Sequence, residues 1–290
     1  MHKYMRSIGF TKKMSKEEQE ALFALILKNP DDVEVWNRKD GLCYSEIEKD
    51  IAYNIGICLR GEGILGEDFE PEYFFPYIKS TNMKAVKEVS VERHADKESY
   101  AAVCDEETMN LSIIFYLQNA FEYLSNIEKL KYGQLFPTIS FSGLCIEGKI
   151  LCPVHNNAKE SQITGATVRN EMAELARNGD QKAAEALAID NINEYQQLSR
   201  RMMKEDVYSI VERSFIPYGV ECDNYMVIGD ILNVASAENF ITKEKIWILN
   251  VKSREITMDI CINHKDLLGE PAVGRRFKGD IWLQGYIAVD

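Results

Sequence analysis

The sequence predicts an α+β protein, in which helices and antiparallel strands do not alternate regularly along the chain. Two features of the first half favour this class: a helix begins at a recognisable cap, and short strands follow one another through tight turns. A third feature is a long polar stretch, rich in alanine and glutamate, with no strand pattern. We therefore expect an N-terminal domain of mixed helix and antiparallel sheet at 1–157, a helical connector at 158–205, and a small β-rich C-terminal module at 206–290.

The N-terminal domain is expected to begin with a short strand at 3–10, followed by a helix. Ser15 and Glu18 have the spacing of a capping box, in which each side chain accepts a hydrogen bond from the other residue's backbone N–H. Pro30 ends this helix, because proline cannot continue it. The apolar residues on one side of the helix are Ala21, Leu22, Leu25 and Ile26.

Alternation with a period of two predicts the strands of this domain, most clearly at 51–60. The other strand candidates are 33–36, 43–47, 86–93, 99–104 and a hairpin formed by 138–146 and 149–154. Glu147 and Gly148 are the expected turn of that hairpin. A helix is predicted at 119–130, while the apolar run 110–117 fits either a strand or the start of a helix.

The connector is expected to form three helices, capped by Thr167, Asp180 and Asp190. The C-terminal module has five strand candidates, at 207–215, 225–234, 245–251, 255–263 and 278–288. Five short strands suit a closed or half-closed barrel such as an OB-like module, although sandwiches and simple sheets give the same number. The first of these segments, 207–215, also fits a short helix.

The last strand has two chemically different faces. Its odd positions carry the apolar residues Phe277, Ile281, Leu283 and Ile287, which belong in a core. Its even positions include Lys278, Trp282 and Tyr286, which we expect to meet a ligand, another domain or a partner.

Composition excludes several classes of protein. The chain has 290 residues, which favours two domains, and a net charge of -12. Since none of the three segments is basic, we expect neither a nucleic-acid partner nor an anionic membrane. The seven cysteines are odd in number and widely spaced, and no signal peptide or membrane-spanning run is present. These features predict a cytoplasmic protein.

Four runs of sequence identify a family resemblance: IGFTK near the start, GLCIEGKILCPV at 143–154, EDVYSIVERSFIPYGVECDNYMVIGDI at 205–231, and DICINHKDLLGEPAVGRRFKGDIWLQGYI at 259–287. Together they resemble an uncharacterised family of cytoplasmic bacterial proteins, known only as a domain of unknown function. The resemblance spans essentially the whole chain and implies a bacterial cytosolic protein. It implies no activity, ligand or catalytic residue.

Three short patterns are better explained by structure than by chemistry. Gly61 to Gly66 spell GxGxxG, but acidic residues and Pro71 follow where a phosphate-binding helix would start, so a flexible turn is favoured. Cys152 and His155 lie close in sequence without enough nearby ligands for zinc or a base arrangement for a nucleophile. Carboxylates around Asp230 are expected in solvated caps and turns. We therefore predict no cofactor and no metal.

The strongest candidate site is the cluster Arg275, Arg276 and Lys278, with Trp282 and Tyr286 on the same strand. Arginine pairs can grip a carboxylate or phosphate through two parallel hydrogen bonds. The favoured interpretation is internal pairing with the carboxylates of Asp266, Glu270 or Asp280, or with the acidic first domain.

Two functions from different classes fit these observations. The first is a non-catalytic binding or scaffold protein for a protein partner or a small anionic ligand, because no catalytic set converges in the sequence. The alternative is an enzyme that acts on a small anionic substrate between the domains, with Arg275 and Arg276 as the anion clamp and an acidic residue such as Asp230 as base. Single-stranded nucleic-acid binding by an OB-like fold is disfavoured by the acidic charge.

Overall fold

A computed structural model of the chain describes residues 2–38, 40–86, 88–93, 98–106, 111–131, 137–151, 213–217 and 223–288. Within this part the α-helices are α1 (Lys16–Lys28) and α2 (Ala120–Lys131), and short 3-10 helices span Lys3–Arg6 and His264–Asp266. The strands are β1 (Asp32–Asn37), β2 (Cys43–Ala52), β3 (Ile55–Glu62), β4 (Glu70–Ile78), β5 (Met83–Ala85), β6 (Val89–Arg93), β7 (Tyr100–Glu106), β8 (Leu111–Leu117), β9 (Thr138–Leu151), β10 (Ser214–Pro217), β11 (Asn224–Glu238), β12 (Lys245–Ser253), β13 (Ile256–Asn263), β14 (Leu267–Leu268) and β15 (Arg276–Ala288). None of the described helices is long and apolar enough to cross a membrane.

These strands form two sheets. The small sheet is four-stranded and antiparallel, in the order β1-β2-β3-β4. In the large sheet, β11, β12, β13, β9 and β15 follow one another, and β15 pairs back onto β11, which closes a five-stranded barrel. Strands β8, β7 and β6 extend the large sheet from β15, which pairs with β8 in parallel.

The predicted α+β class is wrong, because the described chain is mostly strand, with a closed five-stranded barrel and a second sheet. Of the predicted hairpin at 138–154, the residues up to Leu151 form one continuous strand, β9, that runs through Gly148, and 152–154 lie outside the described residues. This glycine is required by packing rather than by a turn, since a Cβ there would lie 2.8 Å from side-chain atoms of Ile262 and Phe277. The run 110–117 contains a strand, β8.

The barrel draws its strands from both sides of the predicted domain division. Strand β9 comes from the first part of the chain and lies between β13 and β15, with β13 parallel to it. A two-domain protein is therefore not supported by the pairing of these strands. The boundaries at 157/158 and 205/206, and the predicted helical connector at 158–205, lie outside the described residues.

The apolar face of β15 is buried in a core, as the alternation predicted. Phe277, Ile281, Leu283 and Ile287 are each completely buried in one apolar cluster, to which the barrel strands contribute. Burying one such side chain contributes about 1.5–3 kcal/mol, so this face anchors the closing strand.

The two helices cover opposite faces of the small sheet. The predicted capping box of α1 is confirmed: Ser15 Oγ accepts from the Glu18 N–H at 3.1 Å, and Glu18 Oε2 accepts from the Ser15 N–H at 2.7 Å. On one face of the sheet, Phe23 of α1 meets the ring of Phe74 edge-on. On the other face, Phe121 of α2 packs against the rings of two residues from β1 and β2.

Candidate functional site

The two predicted arginines are held within the protein. Arg276 lies directly opposite Asp230 on β11, and its Nε donates to Asp230 Oδ1 at 3.1 Å. The second carboxylate oxygen of Asp230 pairs with Arg213 at 2.6 Å. Arg275 donates through Nη1 to the backbone carbonyl of Glu270 at 2.7 Å. Arg276 is thus paired internally, but with Asp230, which is not one of the three carboxylates named from the sequence, and Arg275 contacts a backbone carbonyl. The role of an anion clamp stays a prediction.

The other three predicted residues lie apart from one another. Trp282 is 5% exposed, its indole N–H donates to Asp223 at 2.7 Å, and its ring stacks on Tyr4. Tyr286 donates its hydroxyl to Glu122 of α2 at 2.7 Å. Lys278 lines a separate groove of about 390 Å³ that also contains Lys149, Lys265 and three acidic residues. The even face of β15 therefore does not assemble these residues into one site.

The glycine-rich motif forms a turn, as predicted. Gly63 has φ +92°, and a Cβ there would lie 2.5 Å from the backbone oxygen of Asp68. The Asp68 side chain accepts from the Ile64 N–H at 3.0 Å, and β4 begins at Glu70. A strand therefore follows the turn, rather than a helix that would offer N–H groups to a phosphate.

A larger groove lies where the N-terminal segment meets α1 and the turn between β11 and β12. Gly9 has φ +101°, and a Cβ there would lie 3.1 Å from the Asn239 side chain, so glycine allows the close approach. Asn239 donates to the Ile8 carbonyl at 2.7 Å. Its Oδ1 accepts from the N–H groups of Ile241 and Thr242. One asparagine therefore fixes the N-terminal segment to the turn.

We call this feature the α1 groove; it has a volume of about 580 Å³. Its lining residues are Gly9, Phe10, Thr11, Lys12, Lys13, Met14, Glu18, Ala21, Leu22, Leu25, Ile241, Thr242 and Glu244. Phe10 and Leu22 are each only 6% exposed, whereas Leu25 and Ile241 remain 47% and 44% exposed. The groove thus combines an apolar lining with two exposed apolar side chains.

The charges of the α1 groove are not balanced. Its two carboxylates are already engaged, since Glu18 accepts from the Ser15 N–H and Glu244 pairs with Lys265 at 2.6 Å. Lys12 and Lys13 are exposed and form no ion pair with any residue in the described ranges. The described lining of the groove therefore carries uncompensated positive charge, on a chain whose net charge is -12.

A second cluster, which the sequence did not predict, lies between the small sheet and the end of β8. Arg60 of β3 is completely buried and donates to Glu46 Oε2 at 2.6 Å and to the Tyr116 hydroxyl at 2.9 Å. Its Nη2 donates to the carbonyls of Leu117 and Gln118. Burial raises the pKa of Glu46 to about 7, and the positive charge of Arg60 opposes that rise.

Some of these residues carried a signal in the sequence. Glu46 and Arg60 occupy directly opposed positions of neighbouring strands, and charged residues so placed are a cross-strand pair. For the α1 groove the sequence was misleading, because it placed Leu25 on the same apolar side as Leu22 and Ile26, whereas in the structure the buried stripe of α1 is Leu22 and Ile26. An apolar residue left outside that stripe is available to a partner.

Comparison with known proteins decides the family. Residues 5–285 match the model of DUF3881, described as "Domain of unknown function, E. rectale Gene description". The chain belongs to the DUF3881 family. The predicted resemblance to a family of unknown function is therefore confirmed over nearly the whole chain. No curated protein and no solved structure matches the chain. Membership of DUF3881 brings no ligand or reaction with it, so function rests on the geometry described above.

Proposed function

We propose that this member of DUF3881 is a non-catalytic binding protein of the cytoplasm. Its α1 groove holds an apolar segment of a protein partner, and acidic residues flank that segment. The observation that carries the proposal is a groove of about 580 Å³ in which the exposed walls are apolar and the uncompensated charges are both lysines.

A protein segment fits the groove better than a small molecule does. Small-molecule pockets enclose most of the ligand surface, whereas Leu25 and Ile241 stand about half exposed. Phe240, on the same turn as Ile241, is 63% exposed. Exposed apolar side chains next to a groove are typical of protein interaction surfaces. Lys12 and Lys13 would then steer the acidic flank of the partner and fix its direction.

The lining of the groove supports binding rather than catalysis. Its titratable residues are two lysines and two glutamates, and the glutamates serve a helix cap and an ion pair. General acid–base catalysis needs a side chain that is within reach of the substrate and able to exchange a proton. No histidine or cysteine is among the described residues that line this groove.

Selection from a random peptide display library tests the proposal with the purified full-length protein. We expect enriched peptides that combine a short apolar run with neighbouring aspartate or glutamate. Leu25→Asp and Ile241→Asp should each abolish their binding. Val273→Asp is the matched control, because Val273 is 65% exposed and lies outside the groove, and binding should be unchanged.

The contribution of the two lysines is tested with a double variant, Lys12→Glu with Lys13→Glu. We expect at least about a tenfold loss of affinity for the selected peptides and a weaker dependence on salt. Lys16→Glu is the control, because Lys16 is close to both lysines in the sequence, is 90% exposed and does not line the groove. Selection without enrichment, or peptides that bind the groove variants and the wild type equally, would overturn the proposal.

A further inference from the structure

Three potential metal ligands lie together on the face of the small sheet that is opposite α1. Glu46 and Glu48 project from β2, and Cys58 lies opposite Glu48 on β3. One ligand atom from each residue lies within 4.8 Å of the other two. Glu46 and Glu48 are 3% and 7% exposed, and Cys58 is completely buried. This cluster is separate from the α1 groove.

Lys79 reaches this cluster from the surface. Its ammonium lies 2.5 Å from Glu48 Oε2, and its side chain is 37% exposed. Glu48 Oε2 is buried, and the Lys79 ammonium is the cation in contact with it. A cation therefore already sits on the cluster, and about a third of its side chain is open to solvent.

Two further carboxylates, those of Asp32 and Asp50, lie near Lys79 and Glu48. Asp32 is exposed and Asp50 is half-buried. Clustered negative charge of this kind concentrates cations at the position of Lys79.

We infer that Glu46, Glu48 and Cys58 form a binding site for a divalent transition metal, and that Lys79 occupies this site when the metal is absent. Two carboxylates and one thiolate are a donor set that Zn²⁺ accepts, with a fourth position left for water. The sulfur disfavours Mg²⁺ and Ca²⁺, which take oxygen ligands.

The charges balance in both states. Without metal, the carboxylates of Glu46 and Glu48 face the cations Arg60 and Lys79. On metal binding, Lys79 moves into solvent and the Cys58 thiol releases its proton to solvent. Two carboxylates, one thiolate, Arg60 and a divalent ion then sum to zero.

Titration of the full-length protein with Co²⁺ and Cd²⁺ tests the inference, because both ions give an ultraviolet charge-transfer band when a thiolate binds them. We expect the band in the wild type, its loss in Cys58→Ser, and its displacement by Zn²⁺ but not by Mg²⁺. Cys43→Ser is the matched control: Cys43 lies on the same strand as the carboxylates but outside the cluster, so the band should persist.

The lysine supplies a second test that a purely structural cluster would fail. Lys79→Met removes the competing cation, so metal affinity should rise by about tenfold, which corresponds to the loss of one modest ion contact. Lys49→Met is the control, since Lys49 pairs with Asp31 and should leave affinity unchanged. A wild type without the band, a band that survives Cys58→Ser, or unchanged affinity in Lys79→Met would each overturn the inference. If Cys58→Ser fails to fold, the two lysine variants decide.

Discussion

The barrel interior and the α2 side of the small sheet are both buried, but they are built from opposite chemistry. The barrel is filled by aliphatic and aromatic side chains such as Phe277 and Leu283. The small sheet instead buries Arg60 against Glu46 and surrounds the guanidinium with aromatic rings, the nearest being Phe75 at 4.6 Å. Truncating a side chain in an apolar core removes buried surface and leaves a cavity, whereas removing one partner of a buried ion pair leaves an unmatched charge whose cost depends on pH.

The largest expected effect comes from removing the cation of the small sheet. Arg60→Met should lower the free energy of unfolding by about 3–5 kcal/mol at pH 8, because Glu46 is left buried without its partner. The double variant Arg60→Met with Glu46→Leu should recover part of this loss, since no charge then remains. Urea unfolding measures the double variant and each of the two single variants. A double variant whose loss equals the sum of the two single losses would show that the pair does not couple.

The two regions should also differ in how their contribution to stability depends on pH. The pKa of Glu46 is raised to about 7 in the folded state, so the folded protein binds a proton that the unfolded chain releases near its ordinary pKa. The resulting stability is fully present below the unfolded pKa and is lost as pH rises through about 7.

Between pH 5 and pH 8, in buffer that contains a chelator, the loss from this group should be on the order of 3 kcal/mol. Glu46→Gln should flatten the dependence. Leu283→Ala, in the apolar core, should instead lower the free energy of unfolding by about 2–5 kcal/mol. This loss should be the same at both pH values. Urea unfolding at a series of pH values checks this, and an equally steep dependence in Glu46→Gln would contradict it.

The smallest expected effect concerns the predicted arginines. Arg276→Ala should lower the thermal midpoint by only a few degrees, because Arg213 remains on Asp230 when Arg276 is removed. Arg275→Ala should change the midpoint less, since the Arg275 guanidinium donates to a backbone carbonyl and not to a carboxylate. Thermal melts with and without phosphate and small carboxylates complete the comparison. If these anions stabilise the wild type and neither variant, the anion clamp replaces internal pairing.

The sequence predicted what depends on local periodicity and failed where distant packing decides. The apolar face of β15 and the cap at Ser15 follow from residues close in the chain, and both are confirmed. Gly148 suggested a turn because glycine is common there, yet its role is to admit the side chains of distant strands. No local rule places Arg60 beneath the carbonyls at the end of β8, which come from residues more than fifty positions away.

The candidate site shows the same division. The predicted residues of β15 were chosen for their type, but alternate positions along an extended strand spread them over several neighbours. The α1 groove joins residues 9–25 to 241–244, a juxtaposition that Asn239 creates through three hydrogen bonds. Sequence alone could show that Lys12 and Lys13 are charged, but not that the nearby glutamates are engaged elsewhere.

The position of β9 between β13 and β15 also has a consequence for synthesis of the chain. Strand β9 leaves the ribosome well before β15, about 125 residues earlier, which at 5–20 residues per second is on the order of ten seconds. For most of that interval neither β13 nor β15, its partners in the barrel, has been made, and a long apolar strand presents open backbone hydrogen-bonding groups. Closure of the barrel is therefore a late event, and the nascent chain is most prone to aggregation just before it.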